Sequence, residues 1–219
     1  MPADLPVATR AEEKQKRILD AASELFLERG YDAVSLDDVL ERAGGSKTTL
    51  YSYYGGKEGL FAAIVQKACH DKLAPLLELD VKDLDPNTGL KALGQKFLSV
   101  IANPTGRCLY RMMVAEAERF PELAGAFYSA GPQAAITLLR RTLEHWQKKG
   151  LLRESNPEVL AIQFIGIMLG NFSLKSLLGL SSALSQKEIE DWTTHGVTLF
   201  LKGALAREGN SNETGISVR

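Results

Sequence analysis

Lys47 and Thr48, followed by Thr49, Tyr51, Ser52 and Tyr53, form a short run in which an ammonium, hydroxyls and phenols recur at helical spacing. A lysine can donate to guanine O6 or N7, a threonine can exchange hydrogen bonds with a base edge or offer its methyl to thymine, and phenols can hold phosphate oxygens. Reading bases requires these groups to stand at the start of a helix that fits a groove. The flanking residues supply that helix. Ser35 with Asp38 three residues on is an S-x-x-D capping pattern, which starts a first short helix. Leu36, Val39, Leu40 and Ala43 give it an apolar face at the i, i+3, i+4, i+7 spacing. Gly44-Gly45 ends it, because glycine reaches the left-handed conformation without steric penalty. Ser46 is a good N-cap for a second short helix over residues 47–54. Two short helices joined by a glycine turn have the helix-turn-helix layout, whose second helix enters the major groove.

The same stretch carries a family resemblance. Arg17-Ile18-Leu19-Asp20-Ala21-Ala22, Phe26-Leu27-Glu28-Arg29-Gly30-Tyr31 and Ser35-Leu36-Asp37-Asp38-Val39 occur in order, followed by Ala43-Gly44-Gly45-Ser46-Lys47. Thr49-Leu50-Tyr51, Tyr53-Tyr54 and Lys57-Glu58-Gly59-Leu60-Phe61 complete the series. Together they resemble the DNA-binding domain of the TetR family of one-component transcriptional regulators. The resemblance implies phosphate contacts at Ser35, Tyr51 and Lys57, with Leu50 and Tyr54 as core anchors. Lys57 also begins a helix, so its ammonium and the free N–H groups there suit a phosphate. Lys47, Thr48, Thr49 and Ser52 then face bases, and Tyr53 joins the phosphate contacts. Two glycines depart from the family pattern: Gly45 replaces an apolar residue, and Gly56 replaces a capping one. Each loses a packing or capping contribution, with Leu40 positioned to compensate in part. The expectation is a recognition helix that is looser when free and orders on the operator.

Composition narrows the alternatives. With 45% hydrophobic and 24% charged residues, the chain reads as a soluble globular protein. A formal charge of −1 argues against general polyanion binding. Even over residues 10–57, basic residues do not outnumber acidic ones, so DNA binding needs its cations sorted onto one face. Cys69 and Cys108 form no C-x-x-C, and no secretory leader is seen, which points to a reduced, cytoplasmic chain. No apolar run approaches a membrane span, and no membrane partner is expected. His70, His145 and His195 are far apart, so neither a metal site nor a cofactor is expected. No G-x-S-x-G, P-loop or Rossmann fingerprint appears. Cys69 and His70 would point about 100° apart on a helix, a poor nucleophile–base pair. Enzymatic activity is therefore not expected.

Along the chain, periodicity predicts an all-α protein. Residues 1–9 form a disordered arm, 10–56 a three-helix DNA-binding domain and 57–79 a connecting helix in which Pro75 bends or ends the run. Residues 80–207 form a helical effector-binding and dimerisation domain, and 208–219 a disordered tail. Breaks fall at Asn103-Pro104-Thr105-Gly106, at Phe120-Pro121-Glu122 and at Gly150, with a kink or restart at Gly131-Pro132. Asn156 precedes Pro157 as a cap, and Ser185 with Glu188 forms a capping box.

The run from Arg111 through Pro132 is similar to the C-terminal domains of AefR-like and AcrR-like members of the family. That resemblance implies a pocket for a small hydrophobic or amphipathic effector. Met112, Met113, Phe127, Phe164, Met168 and Phe172 suit an apolar lining, and Arg111, Glu116, Gln133, Asn171 and Gln163 suit polar anchors. A methionine and aromatic stripe also serves as plain core. The penultimate helix is apolar nearly all round, and the last carries Trp192, Gly196, Leu199, Phe200 and Gly203 near period 3.5. With Thr193, Ile167 and Leu174 they are expected in a homodimer interface; the alternative is that both helices close an intramolecular core. The function implied is a sequence-specific regulator, a ligand-relieved repressor that binds a palindromic double-stranded operator as a homodimer. The alternatives are an activator, or a helical adaptor of the same fold that binds no operator.

Overall fold

The computed structural model describes residues 10–180 and 183–204; the arm expected over residues 1–9 and the tail over 208–219 lie outside them. Among the described residues there are ten helices. They are α1 (Arg10–Arg29), α2 (Leu36–Ala43), α3 (Lys47–Tyr54), α4 (Lys57–Leu77), α5 (Pro86–Ile101), α6 (Pro104–Glu116), α7 (Pro121–Ala130), α8 (Pro132–Lys148), α9 (Pro157–Leu177) and α10 (Gln186–Ala204). Punctuation residues set most boundaries. Asp85, Asn103 and Asn156 each accept backbone N–H bonds at the starts of α5, α6 and α9, and a proline follows each cap where no N–H is needed. Ser185 donates to the Glu188 carboxylate and accepts from its N–H, which is the capping box expected for the last helix. Gly131-Pro132 produces a restart, α7 ending at Ala130 and α8 beginning at Pro132. Pro75 lies inside the final turn of α4, two residues before the helix stops.

Contacts divide the chain into two compact units, each made of two stretches of sequence. The first takes the helices up to Leu73 together with residues 103–132, and the second takes residues 74–102 and the described residues from Gln133 onward. The core of the first is built on Ile18, Leu25, Phe26, Val39, Leu50, Leu60 and Phe61, all fully buried. Tyr31 closes it with rings stacked on Phe26 at 5.6 Å and tilted on Phe61 at 4.8 Å. Leu109, Met112 and Met113 of α6 join this same core.

In the second unit, α5, α9 and α10 pack on one another and Trp146 of α8 is fully buried. Small residues let these helices close. A Cβ at Gly89 would stand 2.6 Å from the Trp146 ring, and one at Gly94 would stand 2.8 Å from Thr193 Cγ2. Gly94→Ala should therefore destabilise by overpacking. Gly125 in mid-α7 has open space beside it, so Gly125→Ala should raise stability by about 0.5–1 kcal/mol, read as a higher urea midpoint.

Candidate nucleic-acid interface

The capping box that starts α2 is complete. Asp38 accepts from the Ser35 N–H at 2.7 Å, and the Asp38 N–H donates to Ser35 Oγ at 3.1 Å. The Ser35 hydroxyl also donates to the Asp38 carboxylate, and this bond, with the one from the Ser35 N–H, lowers the carboxyl's pKa. The turn then carries the chain into α3, where Ser46 accepts the Thr49 N–H at 3.3 Å. Gly45 and Gly56 take φ of +129° and +135°, where side chains are strained. The two departures from the family pattern are thus conformational requirements as well as lost contacts. Leu40 Cδ2 lies 3.8 Å from where a Cβ on Gly45 would sit, filling part of the vacated space.

The expected contact residues divide by what already engages them. Lys47, Thr48, Tyr51 and Ser52 are exposed along α3. The Lys47 ammonium reaches the Asp37 carboxylate at 2.9 Å, which raises its pKa. Ser52 donates to the Thr49 carbonyl at 2.8 Å. Thr49 is half-buried and receives a hydrogen bond from Lys14 of α1 at 3.3 Å. The Tyr53 and Tyr54 hydroxyls turn back onto α1, toward the carbonyls of Ala11 at 3.5 Å and Gln15 at 3.0 Å. Tyr54 is the structural anchor expected. Tyr53 has a scaffold contact that a phosphate would have to displace.

Lys57 is likewise engaged, its ammonium 4.4 Å from the centre of the Tyr31 ring and 3.3 Å from the Asp32 carbonyl. Burial lowers its pKa. Arg119 contacts the same ring, with its guanidinium 5.6 Å from the Tyr31 centroid and 2.7 Å from Asp32. Lys14, Asp37 and Arg119 were not singled out from sequence. Asp37 was legible only as a helix-start acid, and the other two carry no local signal. The expectation of a loosely held α3 becomes a measurement: its amides should exchange faster than those of α1 in the free protein and gain protection on operator DNA. Equal protection in the free protein would rule this out.

An α2–turn–α3 unit with an exposed, lysine-led second helix is the arrangement that comparison with known proteins then bears on. Residues 18–64 match the family described as "Bacterial regulatory proteins, tetR family", and residues 88–203 match "AefR-like transcriptional repressor, C-terminal domain". The chain belongs to the TetR family. This TetR-family transcriptional regulator is 27% identical to the uncharacterized HTH-type transcriptional regulator YvkB of Bacillus subtilis, over 87% of this chain and 97% of the relative. Among solved structures it is similar to a putative TetR-family regulator from Mesorhizobium loti, with a TM-score of 0.82 at 25% identity, covering 91% of this chain and all of that one. It is also similar to the flavonoid-responsive regulator FrrA, with a TM-score of 0.74 at 33% identity, covering 89% and 98% of the two chains. The family is one of DNA-binding regulators that dimerise on operators. In the same vein, burial pushes the Cys69 thiol up to about 11, far from the pKa of a working nucleophile.

The regulator's expected effector residues fall in both units. Arg111, Met112, Met113, Glu116 and Phe127 belong to the first, where both methionines are packed into its core and Glu116 lies 3.8 Å from Arg119. Gln133, Phe164, Met168, Asn171 and Phe172 belong to the second. There a cavity of about 690 Å³, open to solvent, is lined by Leu98, Met168, Asn171, Phe172, Trp192 and His195 together with the charged Lys175, Glu188 and Asp191. It sits beside a break in α9 at Gly170, whose φ of +42° and ψ of −140° are not helical. The Trp192 indole N–H donates to the carbonyls of Met168 at 3.0 Å and Ile167 at 3.3 Å.

Three residues expected at a dimer interface pack within their own chain. Thr193, Gly196 and Phe200 are buried in the second unit's own packing, with Thr193 against Gly94, Gly196 against Met168 and Ile167, and Phe200 edge-on to Phe164 at 5.2 Å. A period near 3.5 runs down one helix without saying which flank meets its own chain. Leu174, Trp192, Leu199 and Gly203 remain exposed, and Ile167 is half-buried. No apolar run near membrane length is expected from the sequence, but α9, 21 residues long with a mean hydropathy of 1.4 over an 18-residue stretch, is long and apolar enough to cross a membrane. Its contacts with α5 and α10 and its broken backbone fit a core helix with one uncovered face.

Proposed function

We propose that this regulator is a ligand-relieved repressor that works in the cytoplasm as a homodimer. In this reading Lys47 and Thr48 meet base edges, helped by Thr49 and Ser52. Tyr51, Ser35, Tyr53 and Lys57 hold phosphates. The observation that carries it is the exposed, lysine-led α3, capped by Ser46 and braced on α1 by Tyr54. The dimer forms through the uncovered side of α9 and α10. Val159, Ile162, Leu174, Leu178, Trp192 and Leu199 support it, since each is a large apolar side chain of these helices or their ends left 46% exposed or more. A two-fold dimer would present two α3 helices to successive major grooves, about 34–36 Å apart.

The effector in this reading is a small planar aromatic molecule. Phe172 and Trp192 in the cavity beside the α9 break support it, as does the likeness to FrrA, a regulator named as flavonoid-responsive. Met168 and Asn171 line the same cavity. The effector relieves repression by binding better to a dimer whose two α3 helices no longer match the groove spacing. Because the chemistry resides in contacts rather than a reactive centre, no turnover accompanies binding.

Fluorescence anisotropy of the full chain on its own upstream DNA, across a salt series and beside random DNA, tests the reading. Tight, competitor-resistant binding that weakens steeply with salt supports it, and a flavonoid should then lower operator affinity and quench Trp192 in a Trp146→Phe background. Binding no tighter than to random DNA would favour the adaptor alternative.

A further inference from the structure

We propose that Asp37 is a specificity-determining positioning residue, which restrains the Lys47 ammonium away from the operator and so suppresses binding to DNA of arbitrary sequence. The inference rests on the reading of α3 as the base-reading helix. Asp37 stands in the first turn of α2 and Lys47 is the first residue of α3, so the pair spans the two helices of the DNA-reading motif. The ammonium and carboxylate are 2.9 Å apart, with side chains 61% and 71% exposed. Nothing apolar encloses them. An ion pair so open to water contributes little to stability, and its geometry is easily exchanged for another partner. Asp37 also stays favourably placed when Lys47 leaves, because a carboxylate in the first turn of a helix faces the positive end of its dipole.

The consequence follows from what the two kinds of DNA offer. Random DNA attracts a lysine through phosphate charge and counterion release, a gain that shrinks when the lysine already holds a carboxylate. An operator offers a base acceptor at one fixed position, such as guanine O6 or N7, with geometry that Asp37 cannot match. The pair therefore costs non-specific binding more than specific binding. Neighbouring cations are matched in the same manner: Arg42 lies 3.6 Å from Glu24 and 3.2 Å from Glu28, and Arg29 lies 3.9 Å from Asp38. A motif with no excess of basic residues can still read DNA if its charge is released only by the right sequence. Asp37 is separable from the architecture, since the capping box that builds α2 uses Ser35 and Asp38.

The experiment compares the full-length protein with Asp37→Asn, by anisotropy on the upstream DNA and on random DNA across a salt series. Asp37→Asn should bind random DNA about tenfold more tightly at low salt, with a salt slope steeper by about one, while operator affinity changes less. In a Lys47→Met background the same substitution should lose most of its effect. A purely structural role for Asp37 would not steepen the slope. Unchanged random-DNA binding in a folded Asp37→Asn protein overturns the inference, as does an effect of full size in the Lys47→Met background. Asp37→Ser gives a second neutral variant should asparagine disturb α2. If the wild-type protein shows no preference for its upstream DNA, the reading of α3 fails instead. A kept preference with no Asp37 effect removes this inference alone.

Discussion

Replacing Lys47 and Tyr51 together by alanine should lower operator affinity by about a hundredfold to a thousandfold. The size comes from adding two kinds of contact. A lysine donating to a base edge discriminates by about 1–3 kcal/mol. A phosphate contact such as Tyr51 adds to affinity without reading sequence. The two losses should separate by substrate. Random-DNA affinity should fall by only about tenfold, because the base-edge contribution is absent there to begin with. Neither change should disturb folding, since Tyr51 is 53% exposed and the Lys47 ammonium pairs with another surface side chain. Urea midpoints should therefore match the wild type to within about 0.5 kcal/mol. Equal losses on operator and random DNA would reassign Lys47 from base reader to phosphate contact. Undiminished operator binding would remove α3 from the interface altogether.

What the sequence made legible was whatever depends on neighbours in the chain. The Ser35–Asp38 and Ser185–Glu188 boxes, the Ser46 cap and the Asn156-Pro157 start are decided within four residues, and all are present. The exposed positions of Thr48, Tyr51 and Ser52 follow from helical phase once Leu50 is placed in the core, whereas Lys47, three residues before Leu50, is exposed at the first position of the helix. Partners from distant segments were not legible. The Asp37–Lys47 pair, the Lys14–Thr49 bond and the Arg119 contacts with Tyr31 and Asp32 each join different elements, and charge patterning along one helix says nothing of them. Met112 and Met113 read equally well as pocket or core because methionine suits both, and only packing places them with Phe26 and Phe61. Thr193 and Gly196 were ambiguous for a related reason. Small residues mark a close helix approach, and helices of the same chain make it here, α5 at Thr193 and α9 at Gly196.

The break in α9 was hidden inside an apolar run, with Gly170-Asn171 as the one local hint, and it leads to the largest stability change expected in the second unit. Gly170→Ala should destabilise the protein by about 2–4 kcal/mol, measured as a lowered urea midpoint. Two effects combine. An alanine would hold φ near +42° with ψ near −140°, a combination that L-residues rarely occupy. Its methyl would also press into the Trp192 ring, which lies directly over the glycine. Relief by rotating the indole would withdraw its N–H from the carbonyls of Ile167 and Met168. Straightening α9 would relieve the backbone but shift Asn171 and Phe172, which line the cavity. Trp192→Phe separates these contributions: it keeps an aromatic ring over Gly170 while deleting the donor, and should cost about 1–2 kcal/mol, less than Gly170→Ala. A Gly170→Ala protein as stable as the wild type would mean that α9 can run straight, and that the cavity beside the break is one of two available shapes of this helix.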